Sequence, residues 1–241
     1  MAAAVTRLHK LYALYDRIIA RVDAEFALAV ERSRDHVAPN GKKGLQCGKG
    51  CSSCCYQLFN ISLLEAAAIS RYIKSLPAEA QRRLRDRAIA YQPARRELLA
   101  TRAAETGLVQ IEGKLPVAGL RLACPALEDD ACSIYSARPL ICRKFGMPIY
   151  SPKVPDRLGA CELNFDEGEA VEDVDELVRR QTAIHREWEQ VQKQVEEITG
   201  IDIPGLTVAN ALLVDYDAIL AGAGRMNPDV DNPGEDEARH D

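Results

Sequence analysis

"CGKGCSSCC", residues 47–55, sets four cysteines into nine positions and leaves Cys54 and Cys55 side by side. The other four are Cys124, Cys132, Cys142 and Cys161, so the full pattern is C-x3-C-x2-C-C … C-x7-C-x9-C-x18-C. Independent buried cysteines acting as small apolar side chains would not bunch in this way. Closely spaced thiolates are what soft-ligand metals require. Zinc takes four of them tetrahedrally at about 2.3 Å, and spacings of two to four residues let one turn of chain supply two ligands. Iron-sulfur clusters use the same donors.

The adjacent pair carries its own expectation. Neighbouring side chains diverge, by about 100° on a helix and to opposite faces on a strand. Cys54 and Cys55 are therefore expected to serve different coordination sites, or different irons of one cluster. Eight thiolates fit two four-ligand zinc sites. They also fit one iron-sulfur cluster with spare thiols, and ligand identity does not choose between these. A zinc tetrathiolate keeps a surplus of two negative charges, which nearby N–H donors or cations must offset. Gly48, Lys49 and Gly50 could bring backbone amides to sulfur, and Arg138 and Arg143 flank Cys142. Tyr135, between Cys132 and Arg138, is a further candidate to support the ligands. A disulfide framework is the competing reading, and it belongs to short secreted chains.

Composition narrows the rest. The 241 residues are 47% hydrophobic, enough for a real core, and 28% charged with a net charge of -5. No global cationic field attracts nucleic acid or anionic lipid. No run reaches the roughly 18 to 20 apolar residues of a membrane helix. Arg7, Lys10, Asp16, Arg17 and Arg21 interrupt any signal-peptide core at the N-terminus, so a cytoplasmic setting with reduced thiols is expected.

Apolar residues Leu8, Leu11, Tyr15, Ile18, Ile19, Val22, Phe26 and Val30 recur at helical spacing and predict a long amphipathic helix over residues 6 to 34. Ser62 and Glu65 have capping-box spacing and open a second helix. A third, starting at Pro77, is expected to be kinked or divided by Pro93 and to fade near Gly107, before a loop over residues 108 to 120. "LRLACPALEDDACSIY" reads as a hairpin around an acidic turn. Ser136 should cap a short helix with Pro139 in its first turn, carrying Cys142 and stopped by Gly146. A long helix from Val171 to Ile198, ended by Gly200, and one helix over residues 207 to 221 complete the chain.

The expected architecture is mainly α: long amphipathic helices around a loop-rich, cysteine-ligated core with a small β-hairpin. Its divisions are residues 1–40, long helix and linker; 41–166, cysteine-cluster metal-binding domain; 167–222, a helical segment packing on the N-terminal helix; and 223–241, a disordered acidic tail.

Other motifs recede. His9, His36, His185 and His240 lack ligand spacing, and no H-E-x-x-H, phosphate-binding loop or nucleophile elbow occurs. Arg82, Arg83, Arg85, Arg87, Arg95 and Arg96 interleave with acidic residues as a solvated helix face. Tyr12, Tyr15, Phe26 and Trp188 are read as packing between long helices.

"CGKGCSSCC", "CPAL", "CSIY", "RPLICRKFG" and Cys161 together closely resemble the YkgJ-type cysteine-cluster family of zinc- or iron-chelating domains. Pro125, Ile134, Tyr135, Arg138, Pro139 and Arg143 also fall on its pattern. The resemblance spans about residues 47 to 161. It implies metal binding by all eight cysteines, with Zn2+, Fe or a [4Fe-4S] cluster as cofactor, and names no reaction. Flagellin lysine N-methylases resemble the family in their cysteine motif, which leaves catalysis open. The expected partners are a metal ion and, through the long helices, another protein; neither nucleic acid nor a membrane is expected.

Overall fold

The computed structural model describes residues 2–48, 50–106, 119–147, 149–150, 158–159, 161–165, 175–203 and 205–222. It is mainly helical, as expected, with 62% helix and seven helices among the described residues. These are α1 (Ala2–Arg32), α2 (Leu63–Lys74), α3 (Ala78–Thr106), α4 (Leu140–Lys144), α5 (Asp175–Thr199), α6 (Val208–Leu213) and α7 (Tyr216–Leu220). Two antiparallel pairs accompany them: β1 (Leu127–Glu128) with β2 (Ala131–Cys132), and β3 (Ile149–Tyr150) with β4 (Leu158–Gly159). No helix is long and apolar enough to cross a membrane among the described residues. The expected acidic tail, and nearly all of the expected loop over residues 108 to 120, lie outside the described residues.

The chain divides into two compact units. The first comprises Met1–Leu8, Ser52–Arg138 and Val195–Asp241; the second comprises His9–Cys51 and Pro139–Gln194.

In the first unit, α2 packs on α6 and α7, and α3 packs on α6. Leu64, Ala66, Ala67, Ile69, Leu84, Ala88, Leu206, Ala209 and Tyr216 fill the core. Both α2 and α6 open on capping boxes. Ser62 Oγ accepts from the Glu65 N–H, and the Ser62 N–H donates to Glu65 Oε2 at 2.7 Å. Thr207 and Asn210 repeat the arrangement. The Ile61 N–H donates to the Leu206 carbonyl at 2.7 Å, which sets the two helix starts side by side. Each cap contributes about 1 kcal/mol.

Of the two outcomes expected at Pro93, division does not occur, since α3 runs through it. Two local expectations are corrected here. The single last helix is two, because Val214 is extended and the Asp215 side chain caps a new start by accepting from Ala218 N. Arg87 is no solvated side chain: it donates from Nε to the Pro125 carbonyl at 2.7 Å and pairs with Glu128, so α3 clamps the hairpin.

In the second unit, the Tyr15 and Trp188 rings lie 5.4 Å apart and Arg21 pairs with Glu187 at 2.8 Å, so α1 meets α5 through aromatic packing and charge. Phe26 and Leu45 pack on buried Ala29 and Met147. Arg143, buried on α4, pairs with Asp23 of α1 at 2.5 Å. His185 stays on the helix surface beside Glu189.

Buried Ser70 of α2 bridges the break between α6 and α7. Its hydroxyl lies 3.0 Å from the Val214 carbonyl and 3.2 Å from that of Ala211, and it accepts from the Tyr216 N–H. Ser70→Ala strands a buried donor, and we expect a loss of about 1–3 kcal/mol in urea unfolding of the full chain. An unchanged midpoint would show that Asp215 alone sets the break.

Candidate metal centre

None of the eight cysteines is joined in a disulfide, so the structure holds no disulfide framework. Backbone pairing gathers four of them in the first unit. Cys54 and Cys55 lie on a short 3-10 turn, Ser53–Tyr56. The chain then runs beside residues 121–124: Gln57 bridges Arg121, the Leu122 N–H donates to the Tyr56 carbonyl at 2.9 Å, and the Cys124 N–H donates to the Cys55 carbonyl at 2.7 Å. Cys124 also accepts from the Leu127 N–H, and Leu127 stands opposite Cys132 in the hairpin register. Asp129 and Asp130, at φ 49° and 57°, make the two-residue turn with both central residues left-handed that such hairpins favour. The Ser52 hydroxyl donates to Asp130 at 3.0 Å, fastening the hairpin tip to the cysteine turn.

The thiols act on one another. The Cys55 thiol donates to the Cys54 sulfur, which is the main reason that Cys54 ionises at about 7 instead of 9.0; the charges of Arg138 and Arg121 assist, against burial. Cys55 is pushed up because it supplies that proton, because it is buried, and because Cys54, Cys124 and Cys132 all repel its negative form. Burial pushes Cys124 up to about 12, although the Ala126 N–H and the Arg87 charge favour its thiolate. The expected divergence of Cys54 and Cys55 is thus overturned at the sulfurs. Adjacent Cβ atoms diverge, but each sulfur lies one rotatable bond farther out, and χ1 swings the two together.

This donor set fits a zinc or iron ion: soft sulfur donors with the charges of Arg87, Arg121 and Arg138 around them, and two of the thiols, Cys55 and Cys124, pushed up by burial and by their neighbours. A bound cation would invert that electrostatic balance and hold the thiols deprotonated. Among the described residues, no three His, Cys, Asp or Glu side chains already stand in metal-binding geometry. What the fold supplies is the gathering of donors, not a finished tetrahedron.

The remaining cysteines, Cys47, Cys51, Cys142 and Cys161, fall in the second unit. Cys142 lies on α4, as expected, but Ser136 is in a 3-10 turn and Pro139 is the N-cap residue of α4, with no side-chain cap. Gly146 does not adopt the left-handed conformation of a helix stop. Its role is spatial, since a Cβ there would run into the Cys47 sulfur. Gly48 and Gly50 meet nothing where a Cβ would stand, and Gly50 takes φ 90°, which a side chain would strain.

Of the expected supporting residues, Lys49 lies outside the described residues. Arg138 reaches Cys54 by charge and is stacked 4.0 Å over the exposed Tyr135 ring. Arg143 is engaged with Asp23. Sequence reasoning missed Arg87 and Arg121, whose spacing from the cysteines carries no signal, and Asn164. That asparagine is fully buried and donates from Nδ2 to the Cys47 sulfur at 3.3 Å; the C-x2-N spacing after Cys161 was its only trace.

Removing Arg138 withdraws a charge that favours the Cys54 thiolate. In the metal-free chain we expect alkylation of Cys54 to titrate near its pKa of about 7, and Arg138→Ala to shift that midpoint upward in a mass-spectrometric pH series. A midpoint that stays put would separate Arg138 from the thiols.

No curated protein and no solved structure matches the chain. A family model does, over a stretch that holds seven of the eight cysteines and stops short of Cys161. Residues 46–157 match the model of the CxxCxxCC family, described as "Putative zinc- or iron-chelating domain", the stretch on which the resemblance seen in the sequence also falls.

Proposed function

We propose that this is a metal-binding protein in which Cys54, Cys55, Cys124 and Cys132 hold one zinc ion as thiolates. The observation that supports the reading most is the backbone pairing that brings the Cys54–Cys55 turn beside Cys124 and, through the hairpin, Cys132. The charges of Arg87, Arg121 and Arg138 reach these sulfurs, and a divalent ion would hold all four as thiolates. The ion would staple the 3-10 turn, the segment at 121–124 and the hairpin, three pieces whose own hydrogen bonds are few. Metal binding of this kind is folding free energy, on the order of 10 kcal/mol for structural zinc. The three arginines would offset the surplus negative charge of a tetrathiolate.

Metal analysis of the full chain, purified with and without oxygen, tests this. We expect a colourless protein with bound zinc, a metal content reduced in both Cys54→Ser and Cys55→Ser, and a lowered Tm after chelation. Unchanged metal content in both variants would refute the assignment. A brown protein with broad visible absorption would transfer the same ligands to iron-sulfur chemistry.

A further inference from the structure

Cys54 and Cys55 share one short turn, and their side chains hydrogen-bond to each other. The Cys55 N–H closes the turn on the Ser52 carbonyl at 2.9 Å, and the Gln57 N–H on the Cys54 carbonyl at 3.2 Å. From this backbone the Cys55 thiol donates to the Cys54 sulfur. We propose that the pair is a reversible oxidation site, which a peroxide closes to a Cys54–Cys55 disulfide and a thiol reductant reopens. Its effect on a bound ion rests on the reading of both residues as zinc ligands: a closed pair offers no thiolate, so closure discharges the ion.

Contact and access select this pair. Both cysteines are only half-buried, so a molecule as small as hydrogen peroxide reaches them. Cys124 is the rival across the backbone pairing, where its N–H meets the Cys55 carbonyl at 2.7 Å, but its sulfur accepts from the Ala126 N–H instead. The charges of Arg138 and Arg121 reach Cys54, where they stabilise the negative charge that develops on the oxygen leaving a peroxide.

One molecule of hydrogen peroxide completes the reaction. The Cys54 sulfur attacks one peroxide oxygen: an S–O bond forms, the O–O bond breaks, and the other oxygen leaves with the thiol proton as water. The Cys55 sulfur then attacks the Cys54 sulfenic acid. An S–S bond forms, the S–O bond breaks, and the hydroxyl leaves with the Cys55 proton as a second water. The two thiols give up two electrons, and the peroxide takes them.

Spacing makes the product reversible. Neighbouring Cα atoms lie about 3.8 Å apart across a trans peptide, whereas the Cα atoms of an ordinary disulfide are roughly 4.4 to 6.8 Å apart. A link between residues 54 and 55 is therefore strained and easily reduced, the property that separates regulatory disulfides from structural ones.

The test treats the metal-free full chain with hydrogen peroxide, alkylates the remaining thiols and maps the tryptic peptides by mass spectrometry. Cys51, Cys54 and Cys55 fall on one peptide, residues 50–71, and Cys124 and Cys132 on another. We expect peptide 50–71 to carry a single alkyl group, on Cys51, and to be lighter by two hydrogens, with dithiothreitol restoring all its thiols. A link to the peptide of Cys124 and Cys132, a Cys51 that joins the disulfide, or Cys54 and Cys55 that stay alkylated would each overturn the site. Cys55→Ser should leave Cys54 as a sulfenic acid that dimedone traps, and a disulfide at Cys54 in that variant counts against the pair. The same treatment of the Zn2+-loaded chain should release the ion, and dithiothreitol should let it rebind. A 54–55 disulfide that leaves the zinc content unchanged refutes zinc ligation by these residues, while the oxidation site stands.

Discussion

A short stretch of backbone pairing brings four cysteines of the first unit, Cys54, Cys55, Cys124 and Cys132, into one neighbourhood. Two inter-segment hydrogen bonds, Leu122 to Tyr56 and Cys124 to Cys55, align the cysteine turn with a segment almost seventy residues later. The hairpin then returns Cys132 to the same place through its register with Leu127. The function proposed for the first unit depends on that convergence. Its electrostatic signature is one thiol made acidic by a neighbour that cannot itself ionise, as expected when like charges share a confined site.

The nonapeptide at 47–55 belongs to both units, because the chain passes from one to the other between Cys51 and Ser52. The density of cysteines there is thus the density of a junction. Cys47 and Cys51 are the last ligand candidates of one unit, and Cys54 and Cys55 are the first of the next. Each unit also contains cysteines that come much later in the sequence, Cys124 and Cys132 in the first and Cys142 and Cys161 in the second.

Arginine and asparagine do the supporting work. Arg87 holds the hairpin against α3, Arg138 lies stacked on Tyr135 with its charge reaching Cys54, and Asn164 knots the Cys47 loop. Arg138 was expected near the cysteines from its place beside Cys142, whereas Arg87 and Asn164 were not legible as partners of sulfur. Arg87 resembled its neighbours on an arginine-rich helix, and Asn164 is one polar residue in a loop. Gly146 looked like a helix stop and proved to be a vacancy for a sulfur atom. Such roles depend on what approaches from elsewhere in the chain, and residue type reports only what a position tolerates.

The sequence by itself determined the helices, the first capping box, the acidic hairpin turn and the identity of the cysteines as a set. These follow from periodicity, local hydrogen bonding and ligand chemistry, all encoded within a few residues of each other. Tertiary structure alone decided that Cys54 and Cys55 meet at their sulfurs, that the last helix breaks at Val214, and which cysteines share a unit. Those outcomes turn on side-chain rotation and on contacts between distant segments, such as the one Ser70 makes with Tyr216, where short-range spacing has no hold.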